Sequence, residues 1–238
     1  MGYGRCYNRH TMHKLMVIAA FLAAFLPALS QEPAVTSEAA SRDTKQSASA
    51  DPVVYKSDLD FNYTYTSDWT VVDTKPIMPT VHMQTEDKAT SDPEKQAAAC
   101  VQIGLLLKRG TPGSVVMAMA LPWDCLGKTY KNSDLAGFGS GVAKGFVKSF
   151  DVENPLYGAY KLGKHDLWIE RMEGTAKDHP DFHRTVEVAC VLLKKGAVCM
   201  VGLVNGEADL KTFEQSSIAL EGDAPAQLVP DNAFTANH

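Results

Sequence analysis

The sequence lacks the short motifs that identify common enzyme classes. It contains no G-x-S-x-G nucleophile elbow, no H-E-x-x-H zinc motif and no C-x-x-C redox pair. No two of its cysteines have the two-to-four-residue spacing of structural zinc sites. We therefore expect a protein that is not an enzyme and that carries no cofactor or metal.

The sequence also lacks an excess of basic residues. Its 238 residues include 23 Lys and Arg against 28 Asp and Glu, a net charge of −5. Residues 1–30 hold three of the basic residues and none of the acidic ones, so the chain after Ser30 has a net charge of −8. Nucleic acids and anionic membranes are bound through basic faces, so this balance argues against both as partners.

A long apolar segment is missing as well. The apolar run of Leu15–Leu29 falls short of the roughly 20 residues that span a bilayer. It follows three basic residues and ends in Ala28-Leu29-Ser30, which is the pattern of a secretory signal peptide. We predict a signal peptide over residues 1–30, with an uncleaved anchor as the alternative.

Cleavage after Ser30 would leave a protein without a membrane span. The expected location is the periplasm or the extracellular space. The sequence leaves two start sites open. Translation starts at Met1 or at Met12, and a start at Met12 would give a more compact signal peptide.

Cysteine usage agrees with export. Cys6 lies before the apolar run, and Cys100, Cys125, Cys190 and Cys199 remain after cleavage. An even number of cysteines in an exported protein favours two disulfides, with three connectivities to choose from. We prefer Cys100–Cys125 and Cys190–Cys199, because each pair would then fall on neighbouring strands; buried free thiols are the alternative.

Composition divides the rest of the chain into three parts. Residues 31–52 are poor in large apolar residues and rich in Ser, Ala, Thr and charge, which predicts a disordered linker. Residues 53–221 form the predicted single domain, and residues 222–238, with two prolines, form a predicted C-terminal tail.

Apolar periodicity and turn residues predict the elements of the domain. The expected strands are Phe61–Tyr65, Trp69–Val72, Cys100–Leu107, Ser114–Leu121, Tyr157–Leu162, Asp166–Met172, the two arms of Arg184–Val204, and Ile218–Leu220. Helices are expected over residues 134–149, capped by Ser133, and over residues 206–217, capped by Asn205. Residues 73–95 and 174–183 are expected to be loops, the first with a helical turn near its end.

These elements follow one another as local hairpins and separate helices instead of alternating strand and helix. That order predicts an α+β domain with a mainly antiparallel sheet. Its centre is the hairpin over Arg184–Val204. A two-residue turn at Lys194-Lys195 would place Cys190 opposite Cys199, whereas a three-residue turn that includes Gly196 would put them on opposite faces.

Three groups of residues could carry chemistry. His179 and His183 with Asp178 and Asp181 have metal-ligand chemistry, but Pro180 disfavours the helix that would align them, so a solvated loop is preferred. A second group, which could act as acid and base, comprises His165, Asp166 and Glu170, but their spacing shows no pairing. The aromatic residues of a third group could line a ligand cleft, although the core is the preferred place for them: Trp123, Tyr157, Tyr160 and Trp168.

Several structural signatures resemble the PsbP-like superfamily. The opening aromatic strand ends in Asp68-Trp69, a helix runs over Leu135–Phe146, and the closing helix carries FEQSSIAL over Phe213–Leu220. The resemblance covers roughly residues 55–221 and extends to uncharacterised bacterial secreted proteins. It implies an α/β/α sandwich with helices packed on an antiparallel sheet. It also implies the non-catalytic roles usual in that superfamily: accessory subunits, partner-binding modules and envelope lipoproteins.

We therefore expect an exported, non-catalytic binding or accessory domain of the bacterial cell envelope, whose partner is an envelope protein or a small apolar ligand. One alternative is a small-molecule or lipid carrier with a cleft between sheet and helix. Another is an enzyme of unrecognised type that uses His165 and Glu170. A carrier predicts a large apolar pocket, a partner-binding module an exposed apolar patch, and an enzyme convergent polar groups with shifted pKa values.

Overall fold

The computed structural model describes residues 51–88, 91–110, 113–147, 150–177 and 179–229. The predicted signal peptide, all but the end of the predicted linker and the last part of the predicted tail lie outside the described residues. The helices are α1 (Met78–Lys88), α2 (Asp92–Cys100), α3 (Trp123–Leu126), α4 (Leu135–Val147) and α5 (Glu207–Glu214). The strands are β1 (Pro52–Lys56), β2 (Phe61–Thr66), β3 (Thr70–Val71), β4 (Gln102–Arg109), β5 (Ser114–Pro122), β6 (Phe150–Leu162), β7 (His165–Ala176), β8 (His179–Leu192), β9 (Gly196–Val204), β10 (Ser217–Leu220) and β11 (Ala226–Gln227).

The strands form two antiparallel sheets. A seven-stranded sheet has the order β3-β4-β5-β9-β8-β7-β6, and a four-stranded sheet has the order β1-β2-β10-β11. Every described pairing is antiparallel. The predicted class, α+β with a mainly antiparallel sheet and helices packed on it, is confirmed.

The β8–β9 hairpin lies in the middle of the large sheet, as the apolar character of both arms predicts. Its turn is the two-residue Lys194-Lys195 loop, closed by a 2.8 Å hydrogen bond from Leu193 N to Gly196 O. In this register Cys190 faces Cys199, and the two form a disulfide. Gly196 is required here because a Cβ at this position would come within 2.8 Å of the carbonyl oxygen of Leu121.

A separate core lies on each face of the large sheet, because side chains of successive strand residues point to opposite faces. The helix-side core packs the sheet against α1–α4 through residues such as Val142, Phe138 and Met117. The other core packs it against the small sheet and α5 through Phe61, Phe213 and similar residues. The layer opposite α1–α4 therefore consists of the small sheet and α5.

The second disulfide joins Cys100 to Cys125, the predicted pairing, but not on neighbouring strands. Cys100 is the last residue of α2, and Cys125 lies in α3, directly after β5. The bond therefore ties two helices together at one end of the sheet.

A helix replaces most of the predicted loop over residues 73–95. Val81 is buried in the helix-side core, and the partly buried Ile77 and Met78 pack against the same core. Pro79 stands in the first turn of α1, where a proline costs no helical hydrogen bond. The sequence predicted a loop here because the segment is mostly polar and contains prolines, and only a few of its apolar residues reach the core.

Strands β7 and β8 also extend through most of the predicted loop over residues 174–183. The part of β8 that precedes Thr185 pairs only with β7, because β9 ends at Val204, which lies opposite Thr185. A proline is tolerated where one side of a strand has no neighbour, which is why Pro180 does not end β8.

The closing segment is longer than predicted. The predicted tail contributes β11 to the small sheet and buries Leu228 and Val229. The domain therefore continues to at least Val229, beyond the expected boundary at residue 221. Helix α5 is capped at Gly206, whose φ of 88° suits glycine, and not at Asn205.

The start of α4 differs from the prediction too. A short 3-10 turn over Asn132–Asp134 leads into the helix, and the Asp134 carboxylate accepts a 2.9 Å hydrogen bond from Lys131 N. Asp134 thus takes the capping role expected of Ser133.

Candidate functional site

A cleft of about 750 Å³ opens at the end of the sheets where the β8–β9 turn lies. One wall is Tyr55–Leu59, which comprises the end of β1 and the three residues after it, and the opposite wall is α3 with the Lys194-Lys195 turn. Gln102 and Gly104 of β4 line its floor. We call this space the Tyr55 cleft.

The floor of the Tyr55 cleft is formed by an irregular strand. The pairing of β4 with β5 shifts between Ile103 and Leu105, which marks a β-bulge at Gly104. The Tyr55 hydroxyl lies so close to Gly104 that any Cβ there would overlap it. Burial raises the pKa of Tyr55, and a hydrogen bond with the Ser57 side chain opposes this rise.

Trp123 fixes the opposite wall. Its ring nitrogen donates a 2.9 Å hydrogen bond to Leu193 O, and its backbone nitrogen donates one of 2.9 Å to Lys195 O. The Cys100–Cys125 disulfide holds α3 against α2 behind this wall. The hairpin turn and the helix therefore form one rigid side of the cleft.

The two lysines of the turn already have acidic partners. Lys195 Nζ lies 2.8 Å from the Asp60 carboxylate, and that hydrogen bond is the main reason why the pKa of Lys195 is raised. Lys194 Nζ lies 3.7 Å from Glu221, whose carboxylate also accepts a 2.6 Å hydrogen bond from Lys194 N. Because these charges are neutralised locally, the turn presents no strong positive field to a ligand.

The four aromatic residues predicted for a ligand cleft do not converge. Trp123 lines the Tyr55 cleft. Tyr157 is exposed and stacks on Trp168 with ring centroids 5.9 Å apart, at the far edge of the sheet. Tyr160 packs partly into the core on the opposite face. The sequence thus identified one of the cleft residues.

The acid and base candidates are also kept apart. His165 was expected in a turn, but it begins β7, is buried, and has Nε2 3.3 Å from Asp223 Oδ2. Glu170 accepts hydrogen bonds from the Ser140 hydroxyl and, at 2.8 Å, from Trp168 Nε1. Residues 165 and 170 point to opposite faces of the strand, so they cannot act as one acid–base pair. Asp166 forms a 2.6 Å ion pair with Lys161.

The proposed metal ligands lie along β8 instead of in a loop. His183 Nδ1 is 3.0 Å from the Thr175 hydroxyl and its Nε2 is 3.5 Å from Glu173. Asp181 is exposed, whereas Asp178 and the side chain of His179 lie outside the part of the chain that the structure describes. Across the described residues, no group of three or more His, Cys, Asp or Glu side chains could hold a metal ion.

The space between sheet and helix that a carrier would use is closely packed. The cavity between α4 and the sheet, lined by Phe138, Val142 and Met119, measures about 10 Å³. A single water needs roughly 10–15 Å³ of such volume, so this cavity does not hold a lipid or a small organic ligand.

A buried ionic cluster lies on the small-sheet face. Arg171 Nε donates a 2.8 Å hydrogen bond to Glu187 Oε2, and Arg171 also pairs with Glu214 at the end of α5. Glu187 is fully buried, and burial raises its pKa although Arg171 opposes this rise. The cluster connects α5 to β7 and β8.

None of the described helices has the length and apolar character that crossing a bilayer requires.

No protein-family model matches the chain, and no curated protein matches it significantly. Among solved structures, the chain is similar to the solution structure of cyanobacterial PsbP (CyanoP) from Synechocystis sp. PCC 6803. The match has 15% sequence identity and a TM-score of 0.38, and it covers 73% of this chain and 89% of that chain. A likeness of this size assigns neither family nor function.

Proposed function

We propose that this chain is an exported, non-catalytic binding module of the bacterial cell envelope that holds an extended segment of a partner protein in the Tyr55 cleft. The observation that carries the proposal is the position of the cleft beside an open strand edge. Within the described residues, β5 pairs along one side of β4, whereas on the other side β3 pairs only with Leu107 and Lys108 and no strand pairs with Gln102–Leu105.

An open strand edge next to a cleft suits the addition of an extended peptide. Main-chain hydrogen bonds to the edge provide affinity, and alternate side chains of the peptide enter adjacent pockets. In the Tyr55 cleft, the Tyr55 and Trp123 side chains and the flat Gly104 floor would receive those side chains. The neutralised lysines of the turn favour an uncharged segment over an acidic one.

Export to the periplasm or the extracellular space is part of this proposal. The signal pattern of residues 1–30 supports it. So do the two disulfides, because such bonds persist mainly in oxidising compartments.

The test selects extended peptides from a displayed library against the folded domain and measures their affinity by isothermal titration calorimetry. Gln102→Trp fills the cleft from an exposed position of β4, and Gln215→Trp makes the same change at the exposed end of α5. We expect Gln102→Trp to weaken binding at least tenfold and Gln215→Trp to leave it unchanged.

NMR spectra of the wild-type domain provide a second measurement. Addition of a selected peptide should shift the amide signals of Gln102, Gly104 and Lys195. Equal affinity of the two tryptophan variants, or shifts confined to another surface, would overturn the proposal.

A further inference from the structure

Arg184 is a buried cation without an acidic partner among the described residues. Its side chain lies on the helix side of β8 and is 3% exposed. Its Nη1 donates a 2.6 Å hydrogen bond to His183 O, while Nε and Nη2 are buried and have no hydrogen-bond partner. An isolated buried charge is costly, so the free side of this guanidinium calls for an anionic group.

The residues next to Arg184 on the neighbouring strands β7 and β9 provide no acidic partner for it. The residue opposite Arg184 on β7 is Gly174, where an added Cβ would meet the Phe150 ring at 3.1 Å. On the other side, β9 ends opposite Thr185, one residue away. The neighbouring strands therefore place no carboxylate opposite Arg184.

The two free donors have a specific geometry. Nε–H and one Nη2–H of an arginine point in parallel along one side of the guanidinium plane, and this pair matches the two oxygens of a carboxylate. Burial lowers the pKa of Arg184, but arginine remains charged at neutral pH. The unsatisfied side of Arg184 is thus the side that forms bidentate bonds.

Phe182 covers one face of this side chain. Its ring lies over the guanidinium, with Cζ 3.9 Å from the ring centroid, and it is only partly buried. The ring also favours a cation beneath it, which keeps Arg184 in place.

We propose that the Nε and Nη2 groups of Arg184 form a binding site for a carboxylate, closed from solvent by Phe182. The site is independent of the Tyr55 cleft, because Arg184 precedes the cleft residue Lys194 by ten positions, a distance of about 30 Å along an extended strand. The two sites can therefore be tested separately.

The experiment titrates sodium formate, the smallest carboxylate, at constant ionic strength and follows the Tm of the domain. When formate exceeds its Kd about fivefold, the wild-type Tm should rise by about 2–4 °C. Arg184→Met should show no rise, and Arg184→Lys, which keeps the charge but not the parallel donors, should bind formate more weakly. Lys211→Met removes one exposed positive charge from α5 and should respond as the wild type does.

A rise of equal size in Arg184→Met would overturn the proposal, as would a wild type that shows no rise. If Arg184→Met does not fold, the ¹⁵N-labelled wild type gives the answer alone. The Nε–Hε signal of Arg184 should move with formate concentration and saturate, and a signal that does not move would contradict the site.

Discussion

Arg171 and Arg184 lie on neighbouring strands of one sheet but in opposite surroundings. Arg171, on the small-sheet face, pairs with Glu187 and Glu214. Arg184, on the helix face, contacts a backbone carbonyl and the Phe182 ring, and no described residue pairs with it as an acid. The difference follows from cross-strand register: Glu187 stands opposite Arg171, whereas Gly174 stands opposite Arg184.

A buried arginine in this sheet can therefore have acidic partners within the chain, as Arg171 does, or have none among the described residues, as Arg184 does. Arg171 has two carboxylate partners within the chain, although Glu187 Oε1 is buried without a hydrogen-bond partner, so the cluster contributes to holding α5 on the sheet. Around Arg184 the chain leaves Nε and Nη2 without hydrogen-bond partners, which is the observation on which the proposed carboxylate site rests.

Removal of the cation from the Arg171 cluster should have the largest effect. Arg171→Met leaves the fully buried Glu187 without its partner, and loss of one member of a buried ion pair costs about 3–5 kcal/mol. Urea unfolding monitored by circular dichroism measures this loss. A decrease below about 1 kcal/mol would mean that the cluster does not stabilise the fold.

The same substitution at Arg184 should have a much smaller effect. Arg184→Met replaces an unpartnered buried charge with an apolar side chain of similar length. We expect the free energy of unfolding to stay within about 1 kcal/mol of the wild-type value or to exceed it. A loss as large as that of Arg171→Met would erase the distinction between the two arginines.

The pH dependence of stability should show a smaller effect of the Arg171 cluster, through its carboxylate Glu187. Burial raises the folded-state pKa of Glu187 above its ordinary 4.5, so the folded protein binds this proton more tightly than the unfolded chain does. The contribution of Glu187 to stability is therefore complete below pH 4.5 and is lost as the pH rises through the raised pKa. Relative to Glu187→Gln, the wild type should lose stability over that rise.

Asp223 provides a control of opposite sign. A hydrogen bond from Lys164 lowers the pKa of Asp223 below 3.8, so its contribution is present above that value and is lost as the pH falls through the lowered pKa. Urea midpoints of the wild type, Glu187→Gln and Asp223→Asn across this pH range should therefore diverge in opposite directions. Parallel curves for the wild type and Glu187→Gln would show that Glu187 does not titrate in this way.

Much of the fold was predictable where local pattern and burial agree. The alternation of apolar residues identified the β8–β9 hairpin, and the apolar stripe through Leu135, Phe138 and Val142 identified α4. The pattern failed where polar composition concealed structure, as in α1, and where strands with one free side tolerate Pro180 or His183.

The candidate sites were less predictable than the fold. The Tyr55 cleft combines residues from β1, β4, α3 and the β8–β9 turn, and only Trp123 was among the expected cleft residues. The glycine within the apolar run of β4 was the one available signal for its floor, since glycine in a strand often marks a bulge. Arg184 reads as an ordinary polar residue at the start of an arm until its cross-strand neighbour is known.

The sequence by itself determined the elements of the central hairpin and the α+β class, because these depend on local periodicity, whereas it left the pairing of the cysteines open. Tertiary structure alone decided which residues meet across strands and between layers. Register placed Glu187 opposite Arg171 and glycine opposite Arg184, and a one-residue shift would have reversed every such choice. Partners of buried charges and walls of clefts come from distant parts of the chain, so their identity appears only when the sheets have formed.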